Sequence, residues 1–337
     1  MLRIALDAMG GDHAPAPVVA GAVQALAADA DLTVVLVGDT AAIEACLPAD
    51  APRDRLEIHH ATQVVGMDES PVEALRAKPD NTITHLWKLM VGKKVDAVVG
   101  AGNTGAMVAG GLFSRRFLKH VKRPGIATLM PTAKGMCIIL DVGANVHAKA
   151  GHLYQYGVMG AIYARHMLGR DTPTVGLMNV GEEEGKGHDL AQKAYTLLKN
   201  GLGDRFIGNV EGRDIHRGTC DVIVTDGFVG NVVLKLSEGV FDFLMKTVAK
   251  EIIAPLPNDQ GLAMKALQGL IGKYDYSAVG GAPLLGIDGI CIICHGSSKE
   301  AAIRNALAMA AKNARQKVNE KIVQELDALP PVSDDDA

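Results

Sequence analysis

The segment Gly100-Ala-Gly-Asn-Thr-Gly105 sets three glycines around Asn103 and Thr104, directly after an apolar run and before a helical pattern. Glycines in that setting let backbone N–H groups at a helix N-terminus close on a small oxyanion, so the Gly102-Asn103-Thr104-Gly105 turn, with Asn103 and Thr104 as added donors, is the expected anion site. The same spacing is a superficial dinucleotide fingerprint, which also needs an acidic residue about 20 positions on to hold the ribose. No acidic residue occurs from Ala97 to Leu140. A nicotinamide is therefore not expected, nor any other cofactor. Gly181-Glu-Glu-Glu-Gly-Lys186-Gly187 approximates a nucleotide-phosphate loop, but it is one residue short, lacks a Ser/Thr after the lysine, and puts three carboxylates where phosphates would lie. Lys186 then reads either as a solvated loop lysine or as a single cation reaching into a crevice.

A Gly-x-Ser-x-Gly elbow is absent from the sequence, which argues against a serine triad. Ser297 with Glu300 reads as a capping box for the last helix, and Asp12 or His13, just ahead of Pro15, as another helix cap. His13 and His295 each follow a strand and are candidate proton donors. Carboxylates and histidines show no metal-ligand spacing, so no metal is expected. Arg115, Arg116, Lys119, His120, Lys122 and Arg123 form a basic patch inside the acid-free stretch, either a solvated helix end or a surface that steers an acidic protein partner. Leu262, Ala266, Leu267, Leu270 and Ile271 recur at roughly helical spacing, as core, as a dimer face, or as an amphipathic element lying on a membrane surface.

These groups need a scaffold, and the chain has the material for one. It has 337 residues, 48% of them hydrophobic, enough for a large core, and a net charge of −4 that speaks against nucleic-acid binding. Short Val/Ile-rich runs alternate with helical patterns from end to end, the mark of an α/β protein with a mostly parallel sheet. Expected strands are Leu2–Leu6, Leu32–Val37, Leu56–His59, Val95–Val99, Gly125–Met130, Met136–Leu140, Thr174–Val180, Asp221–Val224 and Ile290–Cys294. Expected helices are Pro15–Ala28, Thr82–Leu89, Thr104–Phe113, His152–Met167, Asp189–Asn200, Val229–Ile253 and Ser298–Leu326. Most strands end in Gly or Asp, and their carboxyl-end loops are expected to face one crevice from one rim. Residues 1–327 read as a single catalytic domain. The rhythm breaks at about 255–275, an excursion holding the apolar helix Gly261–Lys273, and 328–337 read as a frayed acidic tail.

Five cysteines, an odd count in apolar segments, suit reduced thiols. Cys291-Ile-Ile-Cys294-His295 matches the c-type haem pattern literally but reads as a buried strand. The first residues enter a strand without an export signal, and no run of 18 apolar residues spans a bilayer, so a cytoplasmic protein is expected, touching membranes only peripherally.

Taken together, Asp7-Ala-Met-Gly-Gly-Asp-His-Ala-Pro15, Ala101-Gly-Asn-Thr-Gly-Ala106, Leu140-Asp-Val-Gly-Ala-Asn-Val146, Asn179-Val-Gly181, Gly208-Asn-Val-Glu211, Val224-Thr-Asp-Gly-Phe-Val-Gly-Asn231, Tyr276-x-x-x-Gly-Gly-Ala282 and His295-Gly-Ser-Ser298 resemble the phosphate acyltransferase family from Met1 to about Glu325. The resemblance implies a three-layer α/β/α fold related to phosphate acetyltransferases and isocitrate dehydrogenase-type enzymes. It implies inorganic phosphate and acyl-acyl-carrier-protein as substrates, a homodimer, loose attachment to the inner membrane surface, and work beside the downstream glycerol-3-phosphate acyltransferase. It implies active-site roles for Lys186 and Asn231; His13 is the expected proton donor to the leaving thiolate, and Asp12, Asn145 and Asp226 are expected at the substrate site. Arg115, Arg116, Lys119, Lys122 and Arg123 would dock the carrier, and Leu262, Leu267, Leu270 and Ile271 would form a membrane tip. The sequence departs from the family pattern at His147, where the pattern carries Asp, and in the Cys291/Cys294 strand.

Phosphate is already an anionic nucleophile, so attack on a thioester requires positioning and charge stabilisation more than a strong base. Two rivals follow from other readings: a dehydrogenase of the isocitrate type, which would bind NAD(P), and a non-catalytic membrane scaffold, which would bind carrier without turnover.

Overall fold

The computed structural model describes residues 1–254, 256, 258–274 and 280–329. Its strands are β1 (Leu2–Asp7), β2 (Leu32–Gly38), β3 (Leu56–His60), β4 (Ala97–Gly100), β5 (Gly125–Thr132), β6 (Gly135–Leu140), β7 (Val175–Met178), β8 (Phe206–Val210), β9 (Val222–Val224), β10 (Ala282–Leu285) and β11 (Ile290–Ile293). Its α-helices are α1 (Ala16–Ala28), α2 (Thr40–Cys46), α3 (Pro71–Ala77), α4 (Thr82–Val91), α5 (Thr104–Ser114), α6 (Ala150–Leu168), α7 (Asp189–Leu202), α8 (Gly212–Arg217), α9 (Gly227–Thr247), α10 (Gln260–Tyr274), α11 (Glu300–Arg315) and α12 (Val318–Ala328). The Tyr276 end of its motif, Pro255, Pro257 and the tail from 330 lie outside the described residues.

One 11-stranded sheet runs in the order β3-β2-β1-β4-β11-β10-β5-β6-β9-β7-β8. Continuous apolar strands are buried on both faces, as parallel strands flanked by helices must be. Along β1, Ile4 and Leu6 meet Val18, Leu26 and Ile303 on the α1/α11 side, while Ala5 meets the α4/α5 side with Leu86 and Met107. The same alternation repeats in the other half, where Ile138 and Leu140 face α6, α7 and α12, and Ile139 faces the α8/α9 side. The result is a three-layer α/β/α sandwich with mostly parallel strands.

The sheet is mixed, and this corrects the expectation that the glycine-rich loops share one rim. β10 pairs antiparallel with both β11 and β5, and β5 pairs antiparallel with β6. β6, β9, β7 and β8 therefore run opposite to β1, β2, β3, β4 and β11, and the two halves end on opposite rims. A stagger brings those rims together at the centre. Val99 pairs with Ile292 and Ile292 with Pro283; one residue on, Leu284 pairs with Ile126, whose neighbour Ala127 pairs with Leu140. The carboxyl ends of β4, β11 and β6 thus lie on one level, and their loops meet beside β5 and β10.

Several helix boundaries are set by tertiary contacts. The expected helix Ser298–Leu326 breaks at Lys317, which has φ 52°. Asn319 at the start of α12 donates to the carbonyls of Ile287 and Gly289 at 3.0 and 2.6 Å, anchoring that helix to the β10–β11 turn. Neither expected cap forms: α1 is capped at Pro15 without a side-chain bond, and α11 begins after Lys299. Ser297 Oγ lies instead 2.8 Å from Nδ1 of His295. Strands β8 and β10 and helices α2, α3 and α8 are additions, each of seven residues or fewer. The Cys291/Cys294 segment is strand β11 and its end, with both thiols buried and burial pushing Cys294 up to about 12.

Candidate active site

A cleft of about 310 Å³ opens where the staggered rims meet. Its floor is apolar, made by Ile126, Val142, Ile293 and Cys294. Its polar groups are Thr104 at the start of α5, Thr128 on β5, Asn231, Lys235 and Glu238 on α9, and His295 and Ser298 in the loop after β11. An apolar pocket with a few convergent polar groups is the ordinary form of a small-molecule site.

Each wall has a sequence-level cause. Asn103 caps α5, its Oδ1 accepting from Ala106 N at 3.0 Å. Its Nδ2 donates to the carbonyls of Gly66 (3.0 Å), Met67 (3.3 Å) and Glu69 (3.1 Å), so this buried side chain shapes the turn. The first N–H groups of α5 have no intrahelical acceptor, and with the Thr104 hydroxyl they are the donors left for an anion. Beneath this turn the β1 loop crosses the β4 loop: a Cβ on Gly10 would lie 2.7 Å from Asp7 Oδ2 and 2.8 Å from Gly102 N, a crossing only glycine permits.

Asp7 closes that crossing from below. It is 1% exposed, and burial pushes its carboxyl up to about 6, against the pull of hydrogen bonds that include one from Met9 N. A raised carboxyl binds its proton more tightly in the folded state. The stability it contributes is therefore full at low pH and is lost as pH rises through about 6. Asp7→Asn removes the buried charge, and thermal melts should show wild type falling behind the variant between about pH 4 and 6, by roughly 3 kcal/mol at most, with little further change above that. Parallel melting curves across that range would contradict this.

The opposite wall is built on Asp141, whose carboxylate is fully buried. It accepts from the N–H groups of Ile126 (3.1 Å), Gly143 (3.1 Å), Ala144 (2.8 Å) and Asn145 (2.7 Å). Asn145 braces the same loop, its Nδ2 donating to Pro124 O at 2.6 Å and Tyr156 Oη at 2.8 Å. Asp226 caps α9, its Oδ1 accepting from Phe228 N and Val229 N at 2.9 Å. Asn145 and Asp226 thus hold loops in place and do not line the cleft. Asn231, one turn into α9, donates from Nδ2 to Val142 O at 3.0 Å, which leaves its second N–H for the cleft.

Lys186 is exposed on the loop after β7 and is not part of the cleft lining. Its neighbours are drawn elsewhere, Glu182 to Arg213 (3.5 Å) and Glu184 to Lys199 (3.0 Å), and among the described residues Lys186 itself makes no ion pair. The loop borders a second cavity of about 450 Å³ with Thr225, Asp226 and Val229, flanking the first turn of α9. His13 is exposed on the β1 loop, and Asp12 N donates to Gly296 O at 2.8 Å; of the two histidines, it is His295 that reaches the cleft. Sequence reasoning did not single out Lys235, Glu238 or Ser298. The available signal was the polar series Asn231, Lys235, Glu238 at i, i+4, i+7, which falls on one face of the helix. Glu182, Glu211 and Asp214 come within 4.8 Å of one another, but Arg213 pairs with both glutamates.

The basic patch divides. Arg116 pairs with Asp288 at 2.8 Å and Lys119 with Asp327 at 2.6 Å. Arg115, Lys122 and Arg123 instead converge with Lys149, His152 and Phe117 around a cavity of about 560 Å³. Burial, together with the charges of Arg123, Lys149 and Lys122, lowers His152 to about 4, so it stays neutral there at pH 7. In the excursion, Leu262 is 71% exposed and Leu270 42%, whereas Leu267 is 7% exposed and turned inward, which removes it from any surface tip. No helix among the described residues is long and apolar enough to cross a membrane.

Residues 2–321 match a family described as fatty acid synthesis protein. The chain is 46% identical over 336 residues to a phosphate acyltransferase of Syntrophotalea carbinolica, covering 99% of this chain and 96% of that one. It is 47% identical over 319 residues to a phosphate acyltransferase of Heliobacterium modesticaldum, covering 94% and 95%. Among solved structures, a phosphotransacetylase from Streptococcus pyogenes superposes with a TM-score of 0.61 at 17% identity over 94% of both chains. The EutD phosphotransacetylase from Staphylococcus aureus gives 0.57 at 14% identity over 93% and 94%; at these identities the two establish a shared fold.

Proposed function

The chain belongs to the phosphate acyltransferase family, and from that premise we propose that it reversibly transfers a fatty acyl group from an acyl-carrier-protein thioester to inorganic phosphate. The products are an acyl phosphate and free carrier protein, for phosphatidic acid synthesis. The observation that carries this reading is the cleft itself, where a helix N-terminus with Thr104, the Asn231 amide, Lys235 and His295 surround an apolar floor.

Phosphate binds at the first turn of α5, held by its N–H groups and Thr104 Oγ, with Lys235, whose Nζ pairs with Glu238 at 3.0 Å, as the cation on the facing wall. One phosphate oxygen attacks the thioester carbonyl, and the C–O bond forms as the carbonyl electrons move onto oxygen. The free N–H of Asn231 stabilises that oxyanion, and collapse breaks the C–S bond, releasing the carrier thiolate. His295, whose Nδ1 is turned to Ser297 Oγ at 2.8 Å, presents Nε2 as proton donor to the thiolate, in place of the exposed His13. Lys186 approaches from the flank of α9 as a further cation on the carrier side. Lys186→Ala is expected to lower kcat about 10²-fold; near wild-type turnover would remove it from the mechanism.

Carrier protein, which is acidic, docks on Arg115, Lys122 and Arg123, with Lys149 joining them and Arg116 and Lys119 at the rim. Homodimerisation through α9 is supported by its outward stripe of Phe228, Val232, Leu236, Val240 and Phe243, each 46–65% exposed. Leu262, Leu270 and Ile271 of α10 form the peripheral membrane contact of a cytoplasmic enzyme, bringing the product to the glycerol-3-phosphate acyltransferase. The test is incubation with hexadecanoyl carrier protein, with and without phosphate, following free thiol and hydroxylamine-trapped acyl phosphate. Both should appear only with phosphate; thiol released without phosphate would make the protein a thioesterase.

A further inference from the structure

A further cavity, of about 330 Å³, adjoins the cleft along α9. Leu234 and Glu238 belong to the walls of both, so the two spaces adjoin across one turn of helix. The far space is lined by Met130 and Pro131 of β5, Phe241 and Met245 of α9, and Leu270 of α10. Resting on the acyl-transfer reading above, we propose that this groove binds the fatty acyl chain of the thioester and sets the preferred chain length.

Three observations carry this. The groove begins beside Asn231, where the reacting carbonyl sits, and its lining is mostly apolar, with Thr132, His216, Ser237 and Glu238 as its polar members. It follows α9 from Asn231 to Met245, a span of about 21 Å at 1.5 Å per residue, the scale of an extended long acyl chain. Its walls include two methionines and a phenylalanine, unbranched or planar side chains that adapt to a flexible alkyl chain. The exposed stripe of α9 lies on another face of the helix, so the groove and that stripe do not compete for one occupant. Each methylene buried in the groove contributes about fourfold in affinity, and preference for long donors rises accordingly. Met245 and Ala133, at the end remote from the cleft, meet the terminal carbons.

The experiment compares kcat/KM of the full-length wild type, Met245→Trp and Ala133→Trp on butanoyl, octanoyl and hexadecanoyl carrier protein, with phosphate present. Tryptophan from either wall shortens the groove, and the hexadecanoyl-to-butanoyl ratio should fall at least tenfold in both variants. An unchanged ratio in a folded variant overturns the groove as the acyl site, whatever else occupies it. If one substitution prevents folding, the other, on the opposite wall, decides. Wild type that transfers none of the three donors to phosphate refutes the acyl-transfer reading itself, a distinct result.

Discussion

Asn231→Ala is expected to lower kcat for phosphate-dependent acyl transfer about 10²–10³-fold, the usual consequence of removing one preorganised oxyanion donor. The side chain has two N–H bonds, and one is committed to Val142 O at 3.0 Å. That tether fixes the direction of the other, so no reorganisation is needed as charge develops on the thioester oxygen. The tether also gives Asn231 a structural role, which has a different signature. Loss of one partly exposed hydrogen bond costs about 1 kcal/mol of stability, while loss of the oxyanion donor appears in kcat with little change in KM for phosphate. Asn231→Asp keeps the shape but places a carboxylate against the developing anion, and should be at least as slow as the alanine variant. A lowered melting temperature with kcat intact would reduce Asn231 to a brace for the β6 loop.

Gly230→Ala, one residue earlier, should be the most destabilising small substitution in the site. Alanine is favoured over glycine in a helix interior by up to about 1 kcal/mol, so propensity alone predicts a gain. The structure reverses the sign. A methyl group here would fall inside the van der Waals envelope of the Asp141 carbonyl oxygen, and 2.9 Å from both the Asp141 carbonyl carbon and Thr225 Cγ2. None of these atoms is the end of a flexible side chain, and Asp141 is held by four backbone N–H groups. Helix α9 must move away from the β6 loop, and a cost of about 3 kcal/mol or more is expected, in the range reserved for overpacking of a rigid site. Urea unfolding should show the midpoint shifted down, with activity falling in parallel because α9 carries Asn231 and Lys235. A variant as stable as wild type would mean that helix and loop separate more easily than this packing implies.

Much of the molecule was legible in its residues. Val/Ile runs bounded by Gly or Asp marked most of the strands, because a strand buried on both faces must be apolar throughout, and β3 at the sheet edge was read from Leu56 and Ile58 alone. The glycine loops around Asp7, Gly102 and Gly143 marked the backbone crossings that border the cleft, because side chains would close the approaches their backbones make. Asn103, Asn145 and Asp226 stood out equally, and the structure gives them to caps and braces. Sequence alone does not separate a polar side chain that binds a ligand from one that satisfies a backbone N–H, since both sit in the same loops. The short elements β8, β10, α2, α3 and α8 carried too little periodicity to register.

By itself the sequence determined the α/β class and the family, because these depend on local pattern and on glycine at positions where nothing else fits. Tertiary structure decided which loops meet. The reversal of strand direction at β10 and β5 and the stagger across the sheet set the carboxyl ends of β4, β11 and β6 on one level, and pairing between distant strands leaves no mark in either strand. Those same pairings put His295 rather than His13, and Lys235 rather than Lys186, on the cleft wall, and they laid an apolar groove along α9 where the sequence showed only an amphipathic helix.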